Sequence, residues 1–434
     1  MDTPSPDWID AQRKASADAM RAATSATELT RHRPGFGWTV RPAPGSILAS
    51  TRVANWDPEP DYFHHWIRDS AIVLRAVPLA ILADPGARSF WLQACRDFIL
   101  FSLHISDPAR RVPPSNPLRN STRGSHLKFL RPDFEFAALT GDAWLEEPRV
   151  APDGTPDPEQ WGRPQDDGPA LRASAMMALL DALPELGSPE AEALIDRDLA
   201  HSARIGGRPC IGPWEEWPPR RTSFTLLAQW DALDRGATRA ARRNTSHSYF
   251  RGAADRVAAL IQQTRTAQGG WLESLEAPDD RFDSATVLAI LHAGRHDGSF
   301  ALTSSDTRAT VSHLETIFAN LYPINNGRDV PAIGRWAEDV YFDGNPWYPT
   351  TLGFADLHYR IAALTTDRAA FAKAEAWMAL IEEVAPAPAG ALPEQFDRNT
   401  GVPVSNLDLT WSAAAFLEAA ASRDTALQAM AGSM

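Results

Sequence analysis

Cysteine is nearly absent from this chain. Its two copies, Cys95 and Cys210, lie far apart with no CxxC spacing, which argues against a disulfide framework and a zinc cluster and leaves two structural thiols. The neighbouring His64 and His65 lack an HExxH pattern and a third evident ligand, so no metal is expected there, and ring packing or a sugar contact is the expected role. A Gly-rich phosphate loop is missing too, and no cofactor is expected. Positive charge is in deficit: a formal net charge of -13 repels phosphate backbones and anionic lipid, which makes nucleic acid and membrane surfaces poor partners and favours a neutral ligand. The one basic cluster, Arg239, Arg242 and Arg243, reads as a solvated helix face. No apolar run suffices to span a bilayer, since the longest, Ala71 to Ala83, is broken by Arg75 and Pro78. The first residues show no basic start, apolar core and small-residue cleavage site, so no secretory signal is read and a cytoplasmic location is expected. Oligomeric state is not legible.

Strand signals are also scarce, with Trp38 to Val40 and Ile47 to Ala49 the best hairpin candidate. Helical periodicity dominates instead. Apolar residues recur at three- and four-residue spacing over 8–24, 68–83, 87–105, 169–183, 189–203, 222–233, 249–266, 284–292, 307–321, 347–365, 368–384 and 407–421, so the fold class is all-α. Six linkers rich in Trp, Tyr, Arg and carboxylates run straight into such helices, starting at Asp61, Trp161, Gly212, Asp279, Gly334 and Pro393. Six helical hairpins closing into a barrel would bring all six linkers to one end. No Pro/Gly/Ser-rich linker divides the chain, so residues 1–434 read as a single domain.

Fifteen tryptophans are many, and they fall in polar loops more than on helical stripes, a placement suited to stacking on the C–H faces of sugar rings. Two segments carry candidate carboxylates. Trp214-Glu215-Glu216-Trp217 sets adjacent acids between two indoles, an arrangement that should lower local polarity and raise at least one carboxyl pKa. Glu394 precedes a loop and the final helix. Hydrolysis of a glycoside with inversion needs an acid at the leaving oxygen and a base holding water on the opposite ring face, so two carboxylates from distant loops satisfy its requirement.

Segments in the same order along nearly the whole chain resemble glycoside hydrolase family 15, the glucoamylases. These are Tyr62 to Asp69, Trp161-Gly162-Arg163-Pro164-Gln165 with Asp167 to Ala173, Trp214-Glu215-Glu216, Arg335 to Trp347, Glu394 to Asp397, and Asp408 to Ser412. The resemblance implies an (α/α)6 barrel and an exo-acting, inverting α-glucoside hydrolase that releases β-D-glucose from the non-reducing ends of α-glucans or malto-oligosaccharides. It makes Glu215 the proton donor and Glu394 the base. Arg68 and Asp69 then grip the terminal glucose, Tyr62 forms the pocket floor, Trp161 the platform beside the acid and Trp411 a further wall. Ser405 orients the base. Arg335, Asp339 and Glu216 surround the next sugar, and Trp66, Arg163, Trp214 and Trp347 complete the substrate-binding set. Asp166 and Gly212-Pro213 depart from the family pattern and leave the leaving-group sites open. A preference for α-1,6 linkages such as isomaltose, or trehalose hydrolysis, stands beside the glucoamylase reading. A non-catalytic sugar-binding barrel is the further alternative, disfavoured because both glutamates are present.

Overall fold

The computed structural model describes residues 3–52, 61–243, 248–278 and 281–432; Asp279 and Asp280, which open one of the six linkers, lie outside the described residues. The helices are α1 (Pro6–Ala23), α2 (Ile67–Ala83), α3 (Arg88–Ile105), the short α4 (Asp133–Ala138), α5 (Gly168–Ala182), α6 (Pro189–Ile205), α7 (Ser223–Arg242), α8 (Ser248–Gln262), α9 (Ser284–Ala293), α10 (Ser305–Leu321), α11 (Tyr348–Thr365), α12 (Arg368–Val384) and α13 (Thr410–Ala431). Contacts among them close a ring. Helix α2 packs on α5, α5 on α7, α7 on α9, α9 on α11, α11 on α13, and α13 returns to α2. The intervening helices lie outside, with α1 against α13 and α2, α6 against α5 and α7, α8 against α7, α10 against α9 and α12 against α11. This double ring is the (α/α)6 barrel.

Burial separates the two rings. Every residue of α9 is buried, as are the runs Gly168 to Met177 in α5 and Tyr348 to Tyr359 in α11, so these inner segments are mostly apolar or small, with a few buried charges that are paired, such as Arg172 with Asp198. Outer helices bury one stripe, such as Ala253, Ala254, Val257 and Ile261 of α8. Close approach in the inner ring requires Gly353, where a Cβ would stand 2.4 Å from Cδ2 of Leu288. Helix starts follow local chemistry: Ser188, Thr222 and Asp283 cap α6, α7 and α9 by accepting backbone N–H bonds.

Two helices outrun the periodicity that predicts them, α7 past Leu233 to Arg242 and α13 past Ala421 to Ala431. Their apolar stripe fades, but alanine-rich sequence and i,i+4 pairs such as Asp231–Arg235 carry the helix on. Arg239 and Arg243 are not merely solvated, since both bind Glu192 of α6. The expected hairpin is corrected. Strand β2 (Trp38–Val40) pairs antiparallel with β1 (Arg31–Arg33), not with Ile47 to Ala49, and Ile47 bridges Thr24 instead. The Pro34-Gly35-Phe36-Gly37 turn, with Gly37 at φ +60°, closes this hairpin, while Pro42 and Pro44 cannot donate to a ladder on the other side. Two further ribbons serve the site: β3 (His65–Trp66) with β4 (Arg149–Val150), and β5 (Gln395–Phe396) with β6 (Pro403–Val404). Among the described residues, no helix is long and apolar enough to cross a membrane.

Candidate active site

The linkers singled out by composition precede inner helices α2, α5, α7, α9, α11 and α13, so the inner-ring N-termini share one end of the barrel. At that end lies a cavity of about 250 Å³, lined by Ala49, Tyr62, Trp66, Arg68, Asp69, Trp161, Pro213, Trp214, Glu215, Glu216, Arg335, Tyr341, Trp347, Glu394, Leu409 and Trp411. Its volume lies just below the ~300–1,000 Å³ typical of small-molecule sites. Both candidate carboxylates are on its walls.

Glu215 sits at the α7 entrance with φ +62°, a left-handed conformation that costs a non-glycine residue roughly 1–3 kcal/mol and aims the side chain into the cavity. Its Oε1 accepts from Nε1 of Trp66 at 2.7 Å, Nε2 of Gln165 at 3.0 Å and Nη2 of Arg68 at 3.3 Å, while Oε2 accepts from Nε1 of Trp161 at 2.6 Å. The expected sandwich between Trp214 and Trp217 does not form. Trp217 is 77% exposed, and Trp214 turns its N–H to Asp283. The indoles that touch the acid come from two other loops and meet it through their N–H edges, so its surroundings are polar. Burial raises the pKa of Glu216 against the pull of Arg335. Arg68 is anchored by Gln165 at 2.9 Å and Asp167 at 3.1 Å, and burial pushes neighbouring Asp69 up to about 6 despite Arg68 beside it.

Tyr62 and Trp66 meet edge-on with ring centroids 5.5 Å apart, and Tyr62 binds Glu394 while Trp66 binds Glu215. Glu394 is 2% exposed, and burial raises its pKa to about 7, opposed by the hydroxyls of Ser405 and Tyr62 and by Arg335. Tyr62 donates to Oε1 at 2.8 Å and Ser405 to Oε2. Ser405 reaches it because β5 and β6 fold back on each other and Ser405 takes φ +62°. A donated hydrogen bond favours the ionised carboxylate, the form a base needs. Ser405→Ala is therefore expected to raise this pKa further and shift the acid limb of the kcat/KM profile to higher pH; an unmoved limb would detach Ser405 from any role through Glu394.

Three expected site residues do not line the cavity. Arg163 is consumed by Glu147 at 3.1 Å and Asp157 at 3.1 Å, and Asp339 holds Arg335 through its Nε at 2.8 Å. Ser405 acts on Glu394 from behind. Arg335 in turn meets Glu216 at 3.1 Å. Asp166 also stays out of the cavity, buried and gripped by Arg208, whereas Pro213 lines it. His64 and His65 are buried behind the wall: His64 stands 3.5 Å from Asp157, and His65 Nδ1 accepts from the Ile47 N–H. No group of His, Cys, Asp or Glu suited to a metal occurs among the described residues.

Sequence reasoning missed Gln165, Tyr341 and Asp283. The first two lay inside quoted segments without a role, although Gln165 bonds Glu215 and Tyr341 meets the Tyr62 hydroxyl at 2.9 Å. Asp283 was legible as a helix start, yet it also accepts from Trp214 Nε1 at 2.8 Å and 2.9 Å, and burial pushes it up to about 7. Trp214, so fixed, stacks on Trp411 at 6.5 Å and 15° and meets Trp347 edge-on.

Residues 139–421 match the family described as Glycosyl hydrolases family 15. Glucoamylase-1 of Arthroderma benhamiae is 28% identical over 445 residues, covering 91% of this chain and 67% of its own length. Glucoamylase-1 of Schizophyllum commune is 28% identical over 440 residues, with 90% and 70% covered. Among solved structures, Hormoconis resinae glucoamylase superposes with a TM-score of 0.75 at 27% identity, covering 96% of this chain and 73% of its own. Saccharomycopsis fibuligera glucoamylase superposes with a TM-score of 0.74 at 22% identity over 98% and 99% of the two chains, a likeness of fold.

Proposed function

Because the chain belongs to glycosyl hydrolases family 15, we propose that it is an exo-acting, inverting α-glucosidase of the glucoamylase type that removes β-D-glucose from non-reducing ends of α-glucans or malto-oligosaccharides. The observation that carries the reading is the presence of Glu215 and Glu394 on the walls of one cavity, each with its own set of donors. In this reading Glu215 gives its proton to the glycosidic oxygen while Glu394 takes one from a water on the far ring face. Arg68 and Asp69 bind hydroxyls of the terminal glucose, and Trp66, Trp161, Trp214, Trp347 and Trp411 offer their faces and edges to its ring.

Exo action is supported by the packing beneath the site. Inner helices such as α9 and α11 are buried on every side along the segments below the loops, so a glucan chain has no passage down the barrel axis. The whole chain is read as one catalytic unit, supported by a core that runs from Ile9 to Ala426. Incubation with maltose, maltotriose, isomaltose, nigerose and trehalose, followed by NMR of the freshly released sugar, tests the proposal and ranks the linkages. The β-anomer is expected first. With maltotriose, where the freed glucose comes from the attacked centre alone, initial release of the α-anomer would exclude inversion between these two carboxylates.

A further inference from the structure

Behind the cavity wall, and absent from its lining, lies Arg149. The β3–β4 register sets it opposite Trp66, and it is fully buried. Its guanidinium carbon is 4.7 Å from the ring centroid of Trp66 and 3.6 Å from that of Trp161. Asp157 accepts from its Nε at 2.8 Å and Glu159 from Nη2 at 3.3 Å, while Nη1 has no hydrogen-bond partner among the described residues. The ion pairs thus hold one edge of the guanidinium and leave the rest of it to the rings. The two indoles stand nearly perpendicular, 77° apart, and each turns its N–H to a different oxygen of Glu215, at 2.7 Å and 2.6 Å.

A cation over an indole face is attracted by the ring's π electrons and draws density from it, which both fixes the ring and strengthens its N–H as a donor. A planar guanidinium can serve two rings while its edge is bound to carboxylates; a point-charge ammonium cannot. We propose that Arg149 is a positioning residue for proton donation: one buried planar cation orients the two indoles that hold both oxygens of Glu215. This rests on the reading of Glu215 as the acid. A merely structural ion pair would use Asp157 and Glu159 equally well, but it would leave the acid step untouched.

Arg149→Lys separates the two roles, because it keeps a positive charge for Asp157 and Glu159. The kcat on maltose should fall about tenfold with KM within about twofold. Turnover of α-D-glucosyl fluoride should stay within about twofold of the unaltered enzyme, because fluoride departs with little help from an acid. In a Trp161→Phe background, already short of one donated N–H, the Arg149→Lys factor on maltose should shrink. An equal loss on both substrates, an unchanged kcat on maltose, or an undiminished factor in the Trp161→Phe background would overturn the proposal. Unaltered enzyme that hydrolyses neither substrate would instead strike the assignment of Glu215 on which it rests.

Discussion

Glu394→Gln is expected to lower kcat by about 10²- to 10⁴-fold on every oligosaccharide substrate, with little change in KM. The amide occupies the same space and still meets the hydroxyls of Tyr62 and Ser405, but it cannot take a proton from water. The fluoride substrate should not rescue it, since a good leaving group still needs an activated nucleophile. Stability should move the other way. Glu394 has a folded pKa of about 7 against 4.5 ordinarily, so its ionisation works against the fold. That cost is absent while the group is protonated, builds as pH rises above the unfolded value and is complete above about 7. Glu394→Gln should therefore melt higher than the unaltered protein at pH 8 and match it near pH 4. Thermal melts at both pH values, beside steady-state rates, check this. A variant with near-normal turnover would remove Glu394 from the role of base.

Glu215→Gln is expected to lose comparable turnover on maltose by a different route, with the opposite effect on stability. Its carboxylate accepts from two indoles, an amide and a guanidinium. A glutamine there must turn its NH₂ towards one of those donors, leaving buried N–H groups facing each other at a cost of roughly 1–3 kcal/mol. The melting temperature should fall at neutral pH, where Glu394→Gln should not lower it. On α-D-glucosyl fluoride the Glu215→Gln deficit should shrink to about tenfold or less, because the missing proton matters little to fluoride. The two variants then differ on both readouts. Equal deficits of Glu215→Gln on fluoride and maltose would argue that this residue does not supply the proton.

The helical framework was readable because burial writes itself into periodicity. Inner helices that touch neighbours on all sides, such as Ser284–Ala293, are apolar along most of their length, and outer ones such as Ser248–Gln262 carry a stripe. The wrong partner for Trp38 to Val40 has an equally local origin: its true partner, Arg31–Arg33, carries no β-prone residue to announce it, and only the loops' wider packing selects it. At the site, residue types singled out Glu215 and Glu394 as candidates, and the resemblance to family 15 added Arg68 and most of the aromatics that line the cavity. Trp161 does touch Glu215, as the resemblance implies, but Trp214 and Trp217 do not, because adjacency in Trp214-Glu215-Glu216-Trp217 is not contact. A left-handed φ at Glu215 sends neighbouring side chains apart, one to Asp283 and one into solvent.

By itself, then, the chain's apolar pattern determined an all-α chain with six aromatic, charged linkers ahead of its helices, since helical periodicity depends on interactions within a few turns, while the candidate site residues came with the resemblance to family 15. Only the tertiary structure decided how each acid is held: Trp66 and Trp161 on Glu215, Tyr62 and Ser405 on Glu394, Arg149 behind the indoles. Most of these partners lie tens to hundreds of residues apart, and hydrogen bonds and ring stacking act over a few ångströms of space whatever the distance along the chain.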